Sequence, residues 1–427
     1  MSQKNNDEQK KRYIMHLSYS QKMKRYRLSK AHRIVNLFGC LAISTVVLLA
    51  GCTLTKNRGM YRLSRLSYPG FSDDMGYDGL AHSIRQSIDY LQNVSPETMF
   101  RFDQDQYTAS HMIRSLEHFL EFVSTNPSDR NLRKFIKSNY RAYRSVGNGW
   151  RKKVLFTGYY EPFLQGSRQR TDEFRYPILA RPDDLVSIDL SAFSAKYEGE
   201  KISGRYNENT VVPYYDRREI EQEGALEGKA EVLAWLQDPV DLFFLQIQGS
   251  GRIFLDSGQT INVHYHDTNG KPYRSIGKLL IEQNKIPRSE MSMQKIRAYL
   301  RDHPEEVNDI LNHNPSYVFF KTEVEGPLGF LEVKLTPGRS IAVDRRLFPL
   351  PALAFIKTQK PIIDGSGQIT RWIDFRRFVM SQDIGGAIRG AGRSDLFWGN
   401  GMYAEVAAGH MQHKGSLYFL VLKPEAM

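Results

Sequence analysis

From Tyr317 to the C-terminus the chain is a series of short apolar segments separated by glycine and proline, and this spacing limits the possible folds more than any other feature. The segments are rich in β-branched and aromatic residues, as strands are. Short strands joined by tight turns favour a small closed barrel. The segments read SYVFFK, SIAVD, ALAFIK and SLYFLVLK.

Upstream, helices and strands occupy separate regions. Two apolar stripes at helical spacing predict helices that face a core; they consist of Leu80, Ile84, Ile88 and Leu91, and of Met112, Leu116, Phe119, Leu120 and Val123. Between residues 292 and 314 helices return, with Ser292 as an N-cap and Pro304 in a first turn. The composition predicts strands in KVLFTGYYEPFLQG, VDLFFLQIQGSGRIFL and TINVHYHD.

The positive charge is concentrated at the N-terminus. Residues 1–33 hold ten Lys or Arg against two acids, so they account for +8 of the formal +12. The rest of the chain carries little excess charge, and a nucleic-acid partner is not expected.

An uncharged apolar stretch follows this basic head and ends at Cys52. Basic, apolar and small-residue regions in this order predict a secretory signal. Its last residues, LAGC, resemble the lipobox of bacterial lipoproteins, which implies that Cys52 is acylated and that lipid anchors the chain. Thr53 after the cysteine implies the periplasmic face of a Gram-negative outer membrane. The alternative is an uncleaved anchor helix in which Cys52 is incidental.

Two histidine clusters are candidate metal ligands. His264, His266 and Asp267 lie together in HYHDTNG, which also reads as the end of a hairpin, and His410 and His413 lie close together further on. Neither cluster has an evident third ligand, so neither a metal nor another cofactor is predicted. Asp364 in IIDGSGQI predicts a hairpin turn. A Walker A sequence, a G-x-S-x-G elbow and a nucleotide fingerprint are all missing.

Two motifs suggest a saccharide groove. Tyr159 and Tyr160 lie at a predicted strand end beside Gly158, and Gln246 and Gln248 would share one face of a strand. Aromatic rings stack on sugar faces, and amides bind sugar hydroxyls. Ordinary strand ends explain the same residues equally well.

The stretch QDIGGAIRGAGRSDLFWG, residues 382–399, sets two aspartates in a glycine-rich loop. Asp383 and Asp395 face one another if the flanking segments pair as strands. Two carboxylates at close range do not both ionise easily, so one keeps its proton and is available as a general acid. Turn capping by both aspartates is the alternative.

This stretch forms part of an ordered set of motifs. SIAVDRRLFPL, QDIGGAIRG and GRSDLFWG resemble the three-aspartate (3D) domain of the membrane-bound lytic murein transglycosylase A family, and TGYYEP, QIQGSGR, YRSIGK, MSMQKIRAYL and NPSYVFFK resemble the same family upstream. The resemblance covers about residues 150 to 423. One departure is Ile384, where the family often has Thr, and another is PLP at residues 349–351.

The resemblance implies a mainly β fold with some α: a six-stranded double-psi β-barrel carries an inserted β-rich domain, with a groove between them. Residues 1–51 would be a cleaved signal peptide and residues 52–73 a lipid-anchored spacer. Residues 74–163 and 322–427 would form the barrel with its N-terminal helices, and residues 164–321 the insert.

The resemblance also implies a peptidoglycan lytic exotransglycosylase, a carbon–oxygen lyase. It would cleave the β-1,4 bond between N-acetylmuramic acid and N-acetylglucosamine without water and leave a 1,6-anhydro sugar. Asp395 would be the catalytic residue, with Asp383 shaping its proton affinity. Glycan strands would contact a wider set of residues, namely Tyr159, Tyr160, Gln246, Gln248, Asp344, Gly386 and Trp398.

Two other functions remain open from the sequence. A hydrolase would use Asp383 together with Asp395, because inverting and retaining glycosidases both need two carboxyl groups. A murein-binding lipoprotein would keep the barrel without catalysis.

Overall fold

The computed structural model describes residues 58–197 and 200–426. Its strands are β1 (Met60–Arg62), β2 (Met99–Phe102), β3 (Asp105–Thr108), β4 (Tyr140–Ser145), β5 (Val154–Glu161), β6 (Phe163–Ser167), β7 (Tyr176–Leu179), β8 (Val186–Asp189), β9 (Lys201–Asn207), β10 (Thr210–Pro213), β11 (Val232–Leu236), β12 (Ser250–Leu255), β13 (Thr260–Thr268), β14 (Val318–Glu323), β15 (Ser340–Ala342), β16 (Leu353–Ile363), β17 (Ile369–Asp383), β18 (Arg393–Asn400) and β19 (Gln412–Leu422).

The α-helices are α1 (Leu80–Gln92), α2 (Ala109–Ser124), α3 (Asp129–Asn139), α4 (Arg217–Glu221), α5 (Pro239–Gln248), α6 (Ile276–Glu282), α7 (Met293–Asp302), α8 (Val307–Asn312) and α9 (Gly401–His410). Short 3-10 helices lie at Arg65–Ser67, Leu190–Ala192, Ala195–Tyr197, Arg288–Glu290, Pro304–Glu306 and Pro424–Ala426.

Six strands close into the first barrel. Their order is β5, β18, β15, β17, β16 and β19, and β19 pairs back with β5. The pairs β5–β18 and β15–β17 are parallel, whereas the remaining pairs are antiparallel. The predicted six-stranded barrel is confirmed, including its one strand from before residue 163.

The hairpin between β16 and β17 forms at the turn predicted around Asp364. The Asp364 Oδ1 atom accepts hydrogen bonds from the amides of Ser366 and Gln368, both at 2.9 Å. Gly367 has a φ of 83°, a left-handed conformation that glycine adopts without strain.

The helices before β5 cover this barrel, and both predicted stripes face the core. Leu80, Ile84, Ile88 and Leu91 of α1 are buried, as are Met112, Leu116, Phe119 and Val123 of α2. Thr108 and Ser128 cap α2 and α3 with their side chains. The predicted Ser292 cap and the Pro304 first turn are also present.

The N-terminal part of the described chain belongs to this first barrel. Strand β1 pairs antiparallel with β4, and Phe71 is buried. Asp73 accepts two hydrogen bonds from the buried guanidinium of Arg339, at 2.7 and 2.8 Å. The stretch predicted as a spacer is therefore packed on the fold in two parts, at β1 and around Phe71 and Asp73, while residues 64–67 between them are exposed.

The predicted signal segment and Cys52 lie outside the described residues. Within residues 58–197 and 200–426, no helix combines the length and apolar character needed to cross a bilayer.

A second β-rich domain is built from the order β14, β13, β12, β6, β11 and β7. A bridge between Ala180, just after β7, and Phe320 of β14 brings the two edges together, so this sheet is a nearly closed barrel. A three-stranded sheet, β10-β9-β8, flanks it. The predicted mainly β fold with an inserted β-rich domain is confirmed.

One strand prediction in this region is wrong, because residues 239–248 form α5. Asp238 caps the helix by accepting from the Val240 amide, Pro239 occupies the first turn, and Gly249 ends it with a φ of 80°. Within α5 the buried residues are nearly continuous from Val240 to Gln246. A helix buried on most sides has an apolar run that resembles a central strand.

The chain crosses between the two barrels at Pro162, because β5 ends at Glu161 and β6 begins at Phe163. Glu161 is buried at this crossing and binds both domains: its carboxylate pairs with Arg252 of β12 at 3.0 Å and accepts from Asn400 of β18 at 3.0 Å. The chain returns through residues 324–339. The domain boundaries given above stay predictions.

Candidate active site

The two aspartates of the glycine-rich stretch flank one short strand. Ala342 of β15 pairs with Asp383 on one side and with Asp395 on the other. Their Cα atoms are thus two strand spacings apart, about 10 Å. The sequence suggested that the segments flanking the two aspartates pair with each other, but β15 lies between them. Because only one strand intervenes, both carboxyl groups still belong to one site.

Three donors hold the Asp383 carboxyl. Tyr159 Oη donates to Oδ2 at 2.8 Å. The amides of Phe330 and Ile384 donate to Oδ1, each at 2.9 Å. Since the residue at 384 contributes its backbone amide, the Ile384 departure leaves this hydrogen bond intact.

The side chain before Asp383 is anchored inside the protein. Gln382 is fully buried; its Oε1 accepts from the hydroxyls of Ser83 and Ser340, at 3.0 and 2.6 Å. Its Nε2 donates to the Ser83 carbonyl and the Ser87 hydroxyl, at 2.9 and 3.0 Å. Helix α1 therefore fixes the end of β17 from behind the site.

A single hydroxyl contacts the Asp395 carboxyl. Thr157 lies beside Asp395 in the parallel register of β5 and β18 and donates to its Oδ1. Arg393 donates to the Thr157 hydroxyl at 3.4 Å. No other part of the described chain donates a hydrogen bond to this carboxyl, so Oδ2 is left for a ligand.

Burial raises the pKa of both carboxyl groups from 3.8 to about 6. The charge of Arg393 opposes the rise at Asp395, while the charge of Asp383 adds to it. At Asp383 the three hydrogen-bond donors stabilise the anion. Since Asp395 has only one such donor, we assign the shared proton to Asp395 and the negative charge to Asp383.

Asp344 ties down the glycine-rich loop. Its Oδ2 accepts from the Gly390 amide at 2.7 Å, and Arg346 donates to both of its oxygens. Burial alone would raise the pKa of Asp344, but these hydrogen bonds lower it to about 2. Gly390 has a φ of 80°, which fits glycine. The role of Asp344 in substrate binding stays a prediction.

The other predicted site residues divide between two locations. Tyr159 packs on Phe397, with ring centroids 5.2 Å apart, and lies in the site. Gln248 lies nearby and accepts from the Tyr160 amide at 3.1 Å. Gly386 is exposed in the loop, and a side chain there would meet no atom within 4 Å.

Tyr160, Gln246 and Trp398 lie away from the carboxyl pair, contrary to the expectation of exposed groove residues. Strand alternation turns Tyr160 and Trp398 to the opposite faces from Tyr159 and Asp395, and both side chains are buried. Gln246 is buried inside α5, where it accepts from Arg217. Phe397, not Trp398, shares the face of Asp395.

Several residues near the two aspartates were not predicted from the sequence motifs. Thr157 lies two residues before Tyr159, and that spacing places both on one strand face. Tyr273 of the insert is 38% exposed, and the charges of Arg393 and Asp395 both act on its hydroxyl. Phe330 and Arg345 lie on the Asp383 side, where the Arg345 guanidinium stacks 5.0 Å from the ring centroid.

The histidines do not form a metal centre. Strand β13 has a bulge between Tyr265 and Asp267, which leaves His264 buried and His266 exposed. The chain then continues to α6, so the hairpin reading of this motif is wrong. His413 instead stacks on Trp372 at 3.9 Å. Across the described ranges, no group of three or more His, Cys, Asp or Glu is placed to hold a metal ion.

Comparisons with known proteins agree with this architecture. The MltA specific insert domain matches residues 155–321, and the 3D domain matches residues 339–421. Membrane-bound lytic murein transglycosylase A of Escherichia coli (strain K12) is 31% identical over 397 residues, covering 90% of this chain and 96% of that protein.

Solved structures give the same result. A membrane-bound lytic murein transglycosylase from Agrobacterium tumefaciens superposes with a TM-score of 0.69 at 30% identity and covers 86% of this chain and 99% of its own. E. coli MltA with bound chitohexaose gives a TM-score of 0.64 at 26% identity and covers 87% and 97%.

The fold and these relatives define the chain as a homologue of lytic transglycosylases, enzymes that act on peptidoglycan. It belongs to the membrane-bound lytic murein transglycosylase A family, and it has both the insert domain and the C-terminal 3D domain of that family.

Proposed function

We propose that this protein cleaves the β-1,4 bond between N-acetylmuramic acid and N-acetylglucosamine without water and leaves a 1,6-anhydromuramic acid end. Its membership of the lytic transglycosylase family supports the substrate class. The observation that carries the mechanism is the pair of half-buried carboxyl groups with unequal hydrogen bonding, three donors on Asp383 and one on Asp395.

Asp395 is the general acid in this proposal. The Thr157 hydroxyl occupies Oδ1, so the proton sits on Oδ2 and points toward the ligand. The raised pKa, about 6, keeps a useful fraction of this group protonated near neutral pH. In free solution an aspartate with a pKa near 3.9 would be almost wholly ionised.

The reaction needs one proton donor that later becomes a proton acceptor. Asp395 gives its proton to the glycosidic oxygen as the bond from that oxygen to the anomeric carbon breaks. The muramoyl C6 hydroxyl then attacks the anomeric carbon and passes its proton to the Asp395 carboxylate. The products are a free 4-hydroxyl on the leaving sugar and the anhydro ring, and Asp395 is again protonated.

Asp383 stabilises the positive charge that develops at the anomeric carbon. Fixed charges aimed at a developing charge are usually the largest contribution to such a step. Both of its oxygens already accept hydrogen bonds, which makes Asp383 a poor nucleophile and a poor base for water. This arrangement favours the transglycosylase over the two-carboxylate hydrolase.

Glycan strands are the proposed partner, bound between the two barrels. The chitohexaose in the E. coli relative supports a saccharide ligand for this groove. Tyr159, Gln248 and Gly386 are the predicted contacts that lie near the carboxyl pair, and Tyr273 would face them from the insert.

The test is digestion of purified sacculi by detergent-solubilised full-length protein in water enriched in ¹⁸O. Wild-type protein should release anhydro-muropeptides that contain no solvent oxygen. Asp395→Asn should fold and bind sacculi but release at least about 10³-fold less product, because the variant lacks the group assigned as proton donor. Asp374→Asn, an exposed aspartate on the same strand as Asp383, is the matched control.

Two results would reject the proposal. Reducing-end muramic acid carrying ¹⁸O would identify a hydrolase, and sedimentation with sacculi without any product would identify a binding protein. Normal turnover by Asp395→Asn would remove the assignment of the acid.

The proposed location is the periplasmic face of the outer membrane, with acylated Cys52 as the anchor. The relatives are named membrane-bound, which supports attachment. Cells fed labelled palmitate should label wild-type protein but not Cys52→Ser, and the variant should move from the membrane to the soluble fraction. Membrane retention of an unlabelled Cys52→Ser protein would favour an uncleaved anchor helix.

A further inference from the structure

Arg345 is an exposed arginine beside Phe330, and it has no ion-pair partner among the described residues. It follows the end of β15 by three positions, close to Ala342. Its neighbour Arg346 is different, because that guanidinium pairs with Asp344 at 2.7 Å.

The surroundings place Arg345 on the Asp383 side of the groove. Its guanidinium lies 5.0 Å from the centroid of the Phe330 ring, and the Phe330 amide donates to Asp383. The charge of Arg345 also acts on the Tyr265 hydroxyl, which belongs to β13 of the insert. Phe330 and Tyr265 are each 41% exposed, so this corner is accessible from both domains.

Arg345 is not the counter-ion of the catalytic pair. The hydrogen bonds that stabilise the Asp383 anion come from Tyr159, Ile384 and Phe330, and Arg345 is not among the groups that shift its pKa. The Phe330 ring supports one face of the planar guanidinium. A guanidinium held in this way presents its N–H groups to a carboxylate in bidentate geometry.

N-acetylated sugars are neutral and give such a cation nothing to pair with. A muramoyl residue differs from its neighbour by a 3-O-lactyl group, which ends in a carboxylate or in a peptide that carries carboxylates. We infer that Arg345 is a specificity residue that binds a carboxylate on this muramoyl side chain. The inference rests on the proposed function and extends it to the choice between substituted and neutral glycan.

The experiment compares Arg345→Gln with wild type, both as detergent-solubilised full-length protein, on three ligands. These are peptide-bearing glycan strands, strands stripped of peptide by an amidase, which keep the lactyl carboxylate, and chitohexaose, which has no carboxylate. The matched control is Arg371→Gln, because Arg371 is an exposed arginine near the end of β17 that is far from Asp383. The Arg345→Lys variant keeps the positive charge but lacks the planar guanidinium.

Arg345→Gln should lower kcat/KM on peptide-bearing strands about tenfold, as expected for a charge-assisted hydrogen bond. Chitohexaose affinity should stay within twofold of wild type, and Arg345→Lys should recover part of the loss. No loss on stripped strands assigns a carboxylate of the peptide as the ligand group, whereas a loss there as well shows that Arg345 also binds the lactyl carboxylate, which is free only after the amidase removes the peptide.

The inference is overturned if Arg345→Gln turns over peptide-bearing strands normally. It is also overturned if chitohexaose affinity falls by the same factor, because the side chain would then only support the groove. Wild-type protein that releases no anhydro product would instead overturn the proposed function, so the two failures are distinguishable.

Discussion

Thr157 and Asp395 lie side by side on parallel strands, and the threonine hydroxyl donates to the aspartate carboxyl. This hydrogen bond fixes the rotamer of the proposed acid and leaves the other oxygen facing the groove. Thr157→Val should therefore lower kcat by about tenfold or more with little change in KM. Thr157→Ser should keep most of the activity, and steady-state release of anhydro-muropeptides measures both. A loss confined to KM would show that Thr157 binds substrate instead.

Activity should fall as the pH rises through about 6, because Asp395 must carry its proton at the start of the reaction. Arg393 lowers the pKa of Asp395, so Arg393→Gln should move the alkaline limb of the pH–rate profile upward. Asp383 raises that pKa, so Asp383→Asn should move the limb downward in whatever activity remains. Since the two carboxyl groups interact, the measured values belong to the pair. Opposite shifts in these variants would contradict the assignment of the proton.

Asp395→Asn should stabilise the fold above pH 6. The folded pKa of Asp395 is above its unfolded value, so ionisation favours the unfolded chain, and the stability present below pH 3.8 is lost as the pH rises through about 6. Removing the charge should raise the free energy of unfolding by about 1–3 kcal/mol at pH 8 and change it very little at pH 4. Thermal melting of both proteins at the two pH values gives the comparison. If the variant were less stable than wild type at pH 8, the folded protein would not disfavour the ionised Asp395 carboxylate.

Gln382→Leu should weaken both stability and catalysis, because it removes three hydrogen bonds that join α1 to the end of β17 and a fourth to Ser340 of β15. The Ser83 hydroxyl would lose its only hydrogen-bond partner among the described residues, at about 1–3 kcal/mol for an unsatisfied buried group. The hydroxyls of Ser87 and Ser340 would each keep one other hydrogen bond, with the Ser83 carbonyl and the Thr336 amide. Chemical denaturation should report a loss of several kcal/mol. The pH–rate limb should also shift if Gln382 positions Asp383, whereas a structural role alone would leave the limb in place.

Gly158→Ala should destabilise the barrel by about 1–3 kcal/mol. A methyl group at this position would lie 2.7 Å from the Trp398 ring and 2.9 Å from the Ala408 Cα atom. Both neighbours are buried, so neither can move freely. Gly149→Ala is not an equal control, since Gly149 has a φ of 66°; Gly365→Ala is better, because it meets no atom within 4 Å and has no positive φ. Equal melting temperatures for Gly158→Ala and Gly365→Ala would contradict the close packing.

The local pattern was sufficient to predict the barrel strands, the covering helices and the Asp364 turn, because periodicity and turn residues are local properties. It failed for α5, where a buried helix has the apolar run of a strand. The signals that could have corrected it were Asp238 and Pro239 at the start and Gly249 at the end. Caps identify a helix even when burial on most sides removes its amphipathic period.

The site was predictable in part. The motifs contained Asp383, Asp395 and Tyr159, but they did not show which strand faces turn toward the groove, so Tyr160 and Trp398 were included although both are buried. The position of β15 between the two aspartates is set by long-range strand pairing, which no local pattern encodes. Arg345 was not predicted because an exposed arginine is common, and its contact with Phe330 depends on packing between segments that no local pattern encodes.

Strand β5 leaves the first barrel after Glu161, yet both of its barrel neighbours, β18 and β19, come from the last 35 residues of the chain. Thr157 can therefore contact Asp395, and Tyr159 can contact Asp383, only when nearly the whole polypeptide has been made. Pairing across such a sequence separation forms late, because a large loop must close first. The proposed acid on β18 therefore meets Thr157 only when the C-terminal part of the chain is present, so a chain interrupted before Arg393 would lack the Thr157–Asp395 pair.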